Sequence, residues 1–575
     1  MSSVLPQGSR DADEPLRPAD PPSGQAPGRP SAGQRADPSR ARLALVPGIL
    51  PRAVVHLAVW APFAWAVAYL LGRGWRPVSD ASAIALRSWD ILTAHAPLVG
   101  QATRLGQGVF DPGPLEYWLL TVPEHLDPGH GLAWGAALWC MVAGSVAIEA
   151  SWSVAGLAGG LAAGGVALGT VAWMPGIALQ PFWNPWFGVM FLIAAVAVAW
   201  AVLSGRRRWW PVLVVTASVA AQAHLLFAVI AVALAMLGLV VGGTDSVRQH
   251  TGYRWAWTGL AAGVICWSAP FYQQFTSRSG NLTALLHGQS AGGQRTGLTF
   301  GLRAVAGAAG LPPLWRTPLQ SLLDLNAIGA GSAVLGAVIL AALAALLVLA
   351  VRPLRSRRLA ALAGIALTAC LGSVVTYAGI SVRSIPAAPS PLNSLNYLMI
   401  LLLPVGLLCW LTVAAAITLA AARAARRTTT APRITTAPRV TTGRGARIVG
   451  LLAIAGLAAG ASLAASGTAH EFPGVTDARY ARVVAISAQQ IRQRIPDQPV
   501  AITISSPDLG YRKRRLLLGL AYVLTTWGYS PRLSQFGSEL GATYVMRPGL
   551  RITRVRITLR PGTVLIAISP ARSPA

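Results

Sequence analysis

Acidic side chains are scarce in this sequence. Asp and Glu number 19 against 47 Lys and Arg, and charged residues make up only 11% of the 575. Soluble domains carry about 25%, so a wholly water-soluble protein is excluded. Lysine is nearly absent; Lys513 is the one found. Only four cysteines occur, Cys140, Cys266, Cys370 and Cys409, all in apolar stretches and without CxxC spacing. That excludes a disulfide framework and a thiolate zinc site and leaves them as small core residues. The eight histidines are scattered and form no HExxH pair.

What the chain has in quantity is hydrocarbon: 54% hydrophobic residues and a mean hydropathy of +0.53. Many windows exceed the roughly 18 apolar residues that mark a membrane span. The bilayer then demands helices, since no water is present to satisfy a bare backbone. The formal charge of +28 raises nucleic acid as a partner. Its distribution argues against that, because the arginines lie in the N-terminal tail, between spans and near the C-terminus. Orientation and contact with anionic lipid account for them.

The expected fold is an all-α polytopic membrane domain of about 11 helices with a small C-terminal α/β domain. Residues 1–50, rich in Pro, Gly, Ser, Asp and Arg, read as a disordered cytoplasmic tail. Residues 51–466 are the membrane domain. Spans are expected at about 54–71, 131–150, 154–174, 187–203, two within 211–242, 255–270, 333–351, 359–380, 397–421 and 448–465. The run 211–242 is split near Gln222 and His224 because it is too long for one span, and the split keeps every later basic loop on one side. Residues 73–130 and 271–332 are then the large outer loops, and 422–447, with its Thr/Pro/Arg duplication, a flexible cytoplasmic linker. In 467–575 an amphipathic helix (477–494), a strand (500–505), a helix (511–527) and two strands (551–560, 563–568) make an extracytoplasmic α/β domain.

The carboxylates concentrate in the first outer loop: Asp80, Asp90, Asp111, Glu116, Glu124 and Asp127. Only Glu149, Asp245 and Asp324 lie elsewhere between Pro51 and Ser466. Asp80 opens a helix-like run, ASAIALRSW, that reads as an interfacial helix with Arg87 facing headgroups or phosphate. Glycosyl transfer needs a carboxylate to take a proton from the acceptor hydroxyl and donors to hold the leaving phosphate. Asp80, Asp90 and Arg87 supply both kinds of group. The alternative for Asp80 is a helix cap. DPGPLEYW (111–118) reads as a rigid entry into a helix, with Glu116 one turn in; it is either a substrate-facing turn or a connector. His224 and Gln222 sit where two spans meet on the outer side, and an ionisable group there is a functional candidate, with a structural hydrogen bond as the alternative. Trp183 and Trp186, flanking Asn184, read as an interface belt. Arg278 and Arg383 are outer cations able to grip a lipid phosphate or a headgroup.

An inside N-terminus, one span, a long outer loop with Asp80 near its start and a Pro-rich motif before a short helix form an order similar to the GT-C-fold glycosyltransferases. These use polyprenyl-phosphate sugars and include protein mannosyltransferases, aminoarabinose transferases and arabinofuranosyltransferases. The chain looks closer still to a group of actinobacterial membrane proteins whose signature runs SD…R…D…T…PLVG…R, then HPGP, NP, Q-x-H and GN-x-x-AL. Here these are Ser79-Asp80, Arg87, Asp90, Thr93, Pro97–Gly100, Arg104, Asn184-Pro185, Gln222, His224 and Gly280–Leu285, which contains Asn281. The resemblance implies Asp80 as the acceptor-activating base. It also implies a lipid-linked sugar donor, membrane lipid and a cell-surface glycan or protein acceptor as partners, and a place in the plasma membrane. Metal dependence varies across the class, so no ion is assigned. One position departs: the His of HPGP is Asp111, and an ionised Asp there would repel a donor phosphate.

Two other classes compete. A transporter or flippase often shows internal repeats and ionisable groups inside its spans; neither is apparent. A scaffold whose outer domain binds wall polymer is the other. If the chain is an enzyme of this kind, Asp80 and His224 should face one outer cavity together with part of 271–332.

Overall fold

Apolar runs in the sequence become helices wherever they are long enough to cross a bilayer, and polar punctuation ends them. The computed structural model describes residues 38–103, 108–249, 253–278, 280–288, 294–317, 325–381, 396–428, 444–469, 478–495, 501–505, 510–533, 536–540, 542–545, 553–560 and 563–569. The chain divides into two compact units, Met1–Ile49 and Leu50–Ala575. In the first, residues 38–49 are helical.

Helix α1 (Pro38–Gly72) carries the first span and leads to α2 (Asp80–Asp90) and α3 (Leu115–Leu126) of the connecting segment. Then come α4 (Gly131–Ala155), α5 (Leu157–Trp173), the short α6 (Gly176–Leu179), α7 (Asn184–Leu203), α8 (Trp210–Ala223), α9 (Leu225–Gln249) and α10 (Tyr253–Thr276). Helices α11 (Asn281–Gly288), α12 (Gly297–Ala309) and the short α13 (Asn326–Gly329) precede α14 (Ala333–Val351), α15 (Arg357–Ala378), α16 (Leu402–Thr428) and α17 (Arg444–Thr468). Among the described residues, eight helices are long and apolar enough to span a membrane. The other three expected spans are also helical: α5 with 17 residues, α8 with 14, and α10 with 24 of lower hydropathy. The fold is therefore a helical membrane bundle with a small α/β element at its C-terminus.

Helix α7 lies at the centre, against α4, α8, α9 and α15. Its start obeys a local rule: Pro185 occupies the first turn, where its missing N–H costs nothing. Ser332 and Ser356 cap α14 and α15 by accepting from Leu335 and Leu359 N–H. Beyond the first loop, two of the three other acids between Pro51 and Ser466 are paired in place. Glu149 meets His56 at 3.1 Å and Arg52 at 3.9 Å, and Asp245 pairs with Arg357. The third, Asp324, lies outside the described residues. All four cysteines are buried and free.

Part of the segment 271–332, expected to be a loop, is helical and packed. Helix α12 packs against α14, α15 and α16, and its Gly301 lies so close to the Val374 backbone that a Cβ would approach the carbonyl oxygen to 2.3 Å. At 13 residues it is too short to read as a span, although it is part of the bundle.

At the C-terminus, α18 (Ala478–Arg494), β1 (Ala501–Ser505), α19 (Gly510–Thr526), β2 (Ser530–Leu533), α20 (Gly537–Leu540), β3 (Thr553–Arg560) and β4 (Thr563–Ser569) form a four-stranded sheet of order β2-β1-β3-β4. β1 runs parallel to β2 and β3, while β4 is antiparallel to β3, pairing Val555 with Ile568 and Ile557 with Ile566. Helix α19 buries Leu516, Leu517, Leu518, Leu520 and Leu524 and packs on both α18 and α2. Strand β2, four residues long, falls below what alternation can reveal.

Candidate functional site

The connecting segment, α7, the α8–α9 junction, α15 and α19 together enclose a cavity of about 550 Å³. Its polar wall holds Asp80, Arg87, Asp111, Tyr117, Asn184, His224 and Arg514. Its apolar wall holds Leu225, Leu226 and Val229 of α9, Val375 of α15 and Ile380 just beyond it, with Trp183 and Tyr397 also lining the space.

Asp80 is the first residue of α2. The residue before it, Ser79, has φ 57° and ψ −129° and makes no side-chain cap to the helix. That is a backbone region where a side chain costs ~1–3 kcal/mol and which recurs at functional sites. The Asp80 carboxylate forms an ion pair with Arg514 of α19, whose guanidinium also donates to Ser79 Oγ at 3.2 Å. Seven residues on, Arg87 is 8% exposed and donates to the Leu540 carbonyl. Helix α2 is thus not an interfacial helix facing lipid. Ile84, Ala85 and Leu86 are fully buried, because α3 and α19 cover them.

Asp111 sits where three helix ends converge. The segment before it folds back on itself: Gly100 N–H donates to the Asp111 carbonyl at 2.9 Å, and Asp111 N–H to the Gln101 carbonyl at 2.7 Å. Gly100 permits this, since a Cβ there would lie 2.8 Å from Asp111 Cβ. One Asp111 oxygen accepts from Asn184 Nδ2 at 3.0 Å and the other from Leu225 N–H at 3.1 Å, the first residue of α9. Helix N-termini favour a negative charge, but burial dominates. The side chain is 3% exposed, and its carboxyl is pushed up to about 8. At neutral pH Asp111 is mostly uncharged, so repulsion of a phosphate does not follow from its replacing His.

His224 breaks the helical run with extended backbone, φ −156° and ψ 135°. Its Nδ1 accepts from Leu226 N–H at 3.1 Å, so in the neutral ring Nε2 carries the proton. The imidazole stands edge-on to Tyr397, with centroids 5.9 Å apart.

The other sequence candidates fall elsewhere. Asp90 does not line the cavity: it is 2% exposed, and both its oxygens accept from Tyr544 O–H at 3.0 Å. Burial raises its carboxyl to about 6. Glu116 lies in the first turn of α3, not one turn in; it is 4% exposed, its Oε1 has no hydrogen-bond partner, and burial beside Asp111 holds it well above the usual range. Gln222 donates to the Cys266 carbonyl at 2.7 Å. Its Oε1 lies against Gly113, where a Cβ would come within 2.1 Å of it. Asn281 holds the loop in place, accepting from Phe110 N–H and donating to the Phe110 carbonyl, both at 3.0 Å. Arg278 is exposed. Arg104 and Arg383 lie outside the described residues.

Asp80 and His224 both line the cavity, yet none of the described residues of 271–332 does; Val375, Thr376, Gly379–Ser381 and Tyr397 take that place. The tryptophans are not a belt either, as Trp186 is buried and Trp183 lines the cavity. No group of three or more His, Cys, Asp and Glu able to hold a metal occurs among the described residues.

The chain is similar to two solved structures of one protein. ArnT from Cupriavidus metallidurans bound to undecaprenyl phosphate has a TM-score of 0.47 at 16% identity, over 88% of this chain and 93% of that one. The apo state of the same protein gives 0.41 at 15% identity, over 90% and 93%. No family model matches the sequence, and no curated protein matches it.

Sequence reasoning missed Arg514, Tyr117 and Tyr397. Arg514 had a signal: the RKRR run (Arg512–Arg515) opens a helix whose continuation, LLLGLAYVL, is apolar. Nothing local says that this run faces a cavity set between membrane helices.

Proposed function

We propose that the protein is a membrane glycosyltransferase, moving a sugar from a polyprenyl-phosphate carrier to an acceptor on the far side of the cytoplasmic membrane. The observation that carries this reading is the two-faced cavity. A carboxylate, two guanidiniums, a histidine and a mostly neutral carboxyl stand opposite a wall of aliphatic side chains from spanning helices. An amphiphile with a sugar phosphate on a hydrocarbon chain matches both walls. The order of motifs in the first loop supports the same reading.

In this reading Asp80 is the base. The acceptor hydroxyl attacks the anomeric carbon, its proton passes to the Asp80 carboxylate, and the anomeric C–O bond to phosphate breaks with its electron pair leaving on the phosphate. Arg87 and Arg514 offset the charge that accumulates on that phosphate. His224 Nε2–H donates to a sugar hydroxyl or a phosphate oxygen, while Asn184, whose amide N–H groups are spent on Asp111 and the Ala223 carbonyl, keeps only its oxygen to accept from a sugar hydroxyl. Asp90 and Glu116, away from the cavity, act through packing. The acceptor is a surface glycan, lipid or protein. The basic segments between spans support a cytoplasmic N-terminus and an extracytoplasmic C-terminal domain.

The test compares the surface glycans of cells carrying the wild-type chain, no chain, or Asp80→Asn at equal expression. The expected result is one glycan species lost in both of the latter. Retention of that species with Asp80→Asn removes Asp80 from the base role. Identical glycans with and without the protein overturn the reading as a whole.

A further inference from the structure

Among the described residues, Arg514 is the one cavity-lining residue contributed by the C-terminal α/β element, and it holds the carboxylate assigned as base. The pairing is built from both sides. Helix α19 lies along α2, and three further polar contacts tie the same regions together: Tyr544 to Asp90, Tyr522 to Glu124, and Arg87 to the Leu540 carbonyl. The guanidinium is therefore placed by a docked surface and is not a wandering surface cation.

We infer that Arg514 is a positioning residue that exchanges partners, pairing with Asp80 or with the anionic head of a lipid-phosphate substrate in the same cavity. This rests on the glycosyltransferase reading and deepens it. A carboxylate engaged by a guanidinium has its lone pairs committed to that partner and is a poor proton acceptor. A phosphate entering beside Arg87 offers Arg514 a bidentate partner of greater charge. Transfer of Arg514 to the phosphate leaves Asp80 facing the acceptor hydroxyl. Base activation then depends on donor occupancy, and water is disfavoured as acceptor until the donor is seated. Because Arg514 belongs to the C-terminal element, that element completes the site and is not a separate wall-binding module.

The test is a binding cycle on the full-length detergent-purified protein, with farnesyl phosphate as probe and farnesol as the neutral control, read by calorimetry. Arg514→Gln is expected to weaken farnesyl phosphate roughly tenfold or more, by loss of a charge-assisted contact. Asp80→Asn, which releases the guanidinium, is expected to tighten it roughly three- to tenfold. The decisive species is the double variant: in the Arg514→Gln background, Asp80→Asn should give no gain. Arg514→Lys keeps the charge and should bind more tightly than Arg514→Gln, which separates loss of the cation from misfolding. A gain from Asp80→Asn that persists without Arg514 means simple repulsion by Asp80 and overturns the exchange. So does weakening in both single variants, the signature of a purely structural ion pair. Wild-type protein that binds farnesyl phosphate no better than farnesol overturns the glycosyltransferase reading, and this inference with it.

Discussion

Asp80 and Arg514 are 434 residues apart in the chain and meet as an ion pair on the wall of one cavity. The first belongs to the segment after the opening span, the second to a helix after the last. The contact turns two regions that look independent in sequence into parts of one site, and the consequences of that arrangement can be measured.

Removing Arg87 should act on two levels. Its guanidinium lines the cavity and also bonds the Leu540 carbonyl. Arg87→Lys keeps the charge but cannot reproduce the planar fork. Activity should fall about tenfold or more in a transfer assay, with helix α19 more open to protease; full activity would place Arg87 outside the binding machinery.

Asn184→Ala leaves one oxygen of buried Asp111 without its donor. An orphaned buried polar atom costs about 1–3 kcal/mol. The melting temperature in detergent should drop. An unchanged value would show that water replaces the amide.

The contacts that hold α19 and its neighbours on the first loop should loosen as pH rises. Burial raises Asp90 from 3.8 to about 6 and Glu124 from 4.5 to about 7. Each is raised in the fold, so each contributes stability fully present below its unfolded value and lost as pH climbs through the folded one. Between about pH 4 and pH 8 the docked surface should weaken by a few kcal/mol (order of magnitude). Hydrogen exchange in α19 should therefore rise with pH beyond its intrinsic dependence. Asp90→Asn with Glu124→Gln should flatten the slope; an equally steep slope in that double variant would assign the effect to other groups.

Gly113→Ala should destabilise the junction of the first loop with α8 and α10. Its Cβ would fall 2.1 Å from Gln222 Oε1 and 2.7 Å from Pro270 Cγ. The amide can swing aside but the pyrrolidine ring cannot, so a cost of about 1–3 kcal/mol is expected. Expression and thermal unfolding report it. A wild-type melting curve would mean that the loop can lift away from α10 without penalty.

Sequence alone determined the helices and their breaks, the collection of carboxylates in one segment, and the helix–strand alternation near the C-terminus. These follow from local causes: bilayer thickness sets run length, unsatisfied backbone forces helices, and period separates helix from strand. Even the break at His224 was legible, because 211–242 is too long for one crossing. What each carboxylate does was decided only by tertiary structure. Asp80, Asp90, Asp111 and Glu116 look alike in the chain. One is ion-paired at a cavity, one is sealed beneath Tyr544, one is mostly neutral between Asn184 and α9, and one is buried with an oxygen unpartnered. The physical reason is that ionisation and partnership depend on burial and on groups hundreds of residues away, and hydrophobic periodicity carries no information about either.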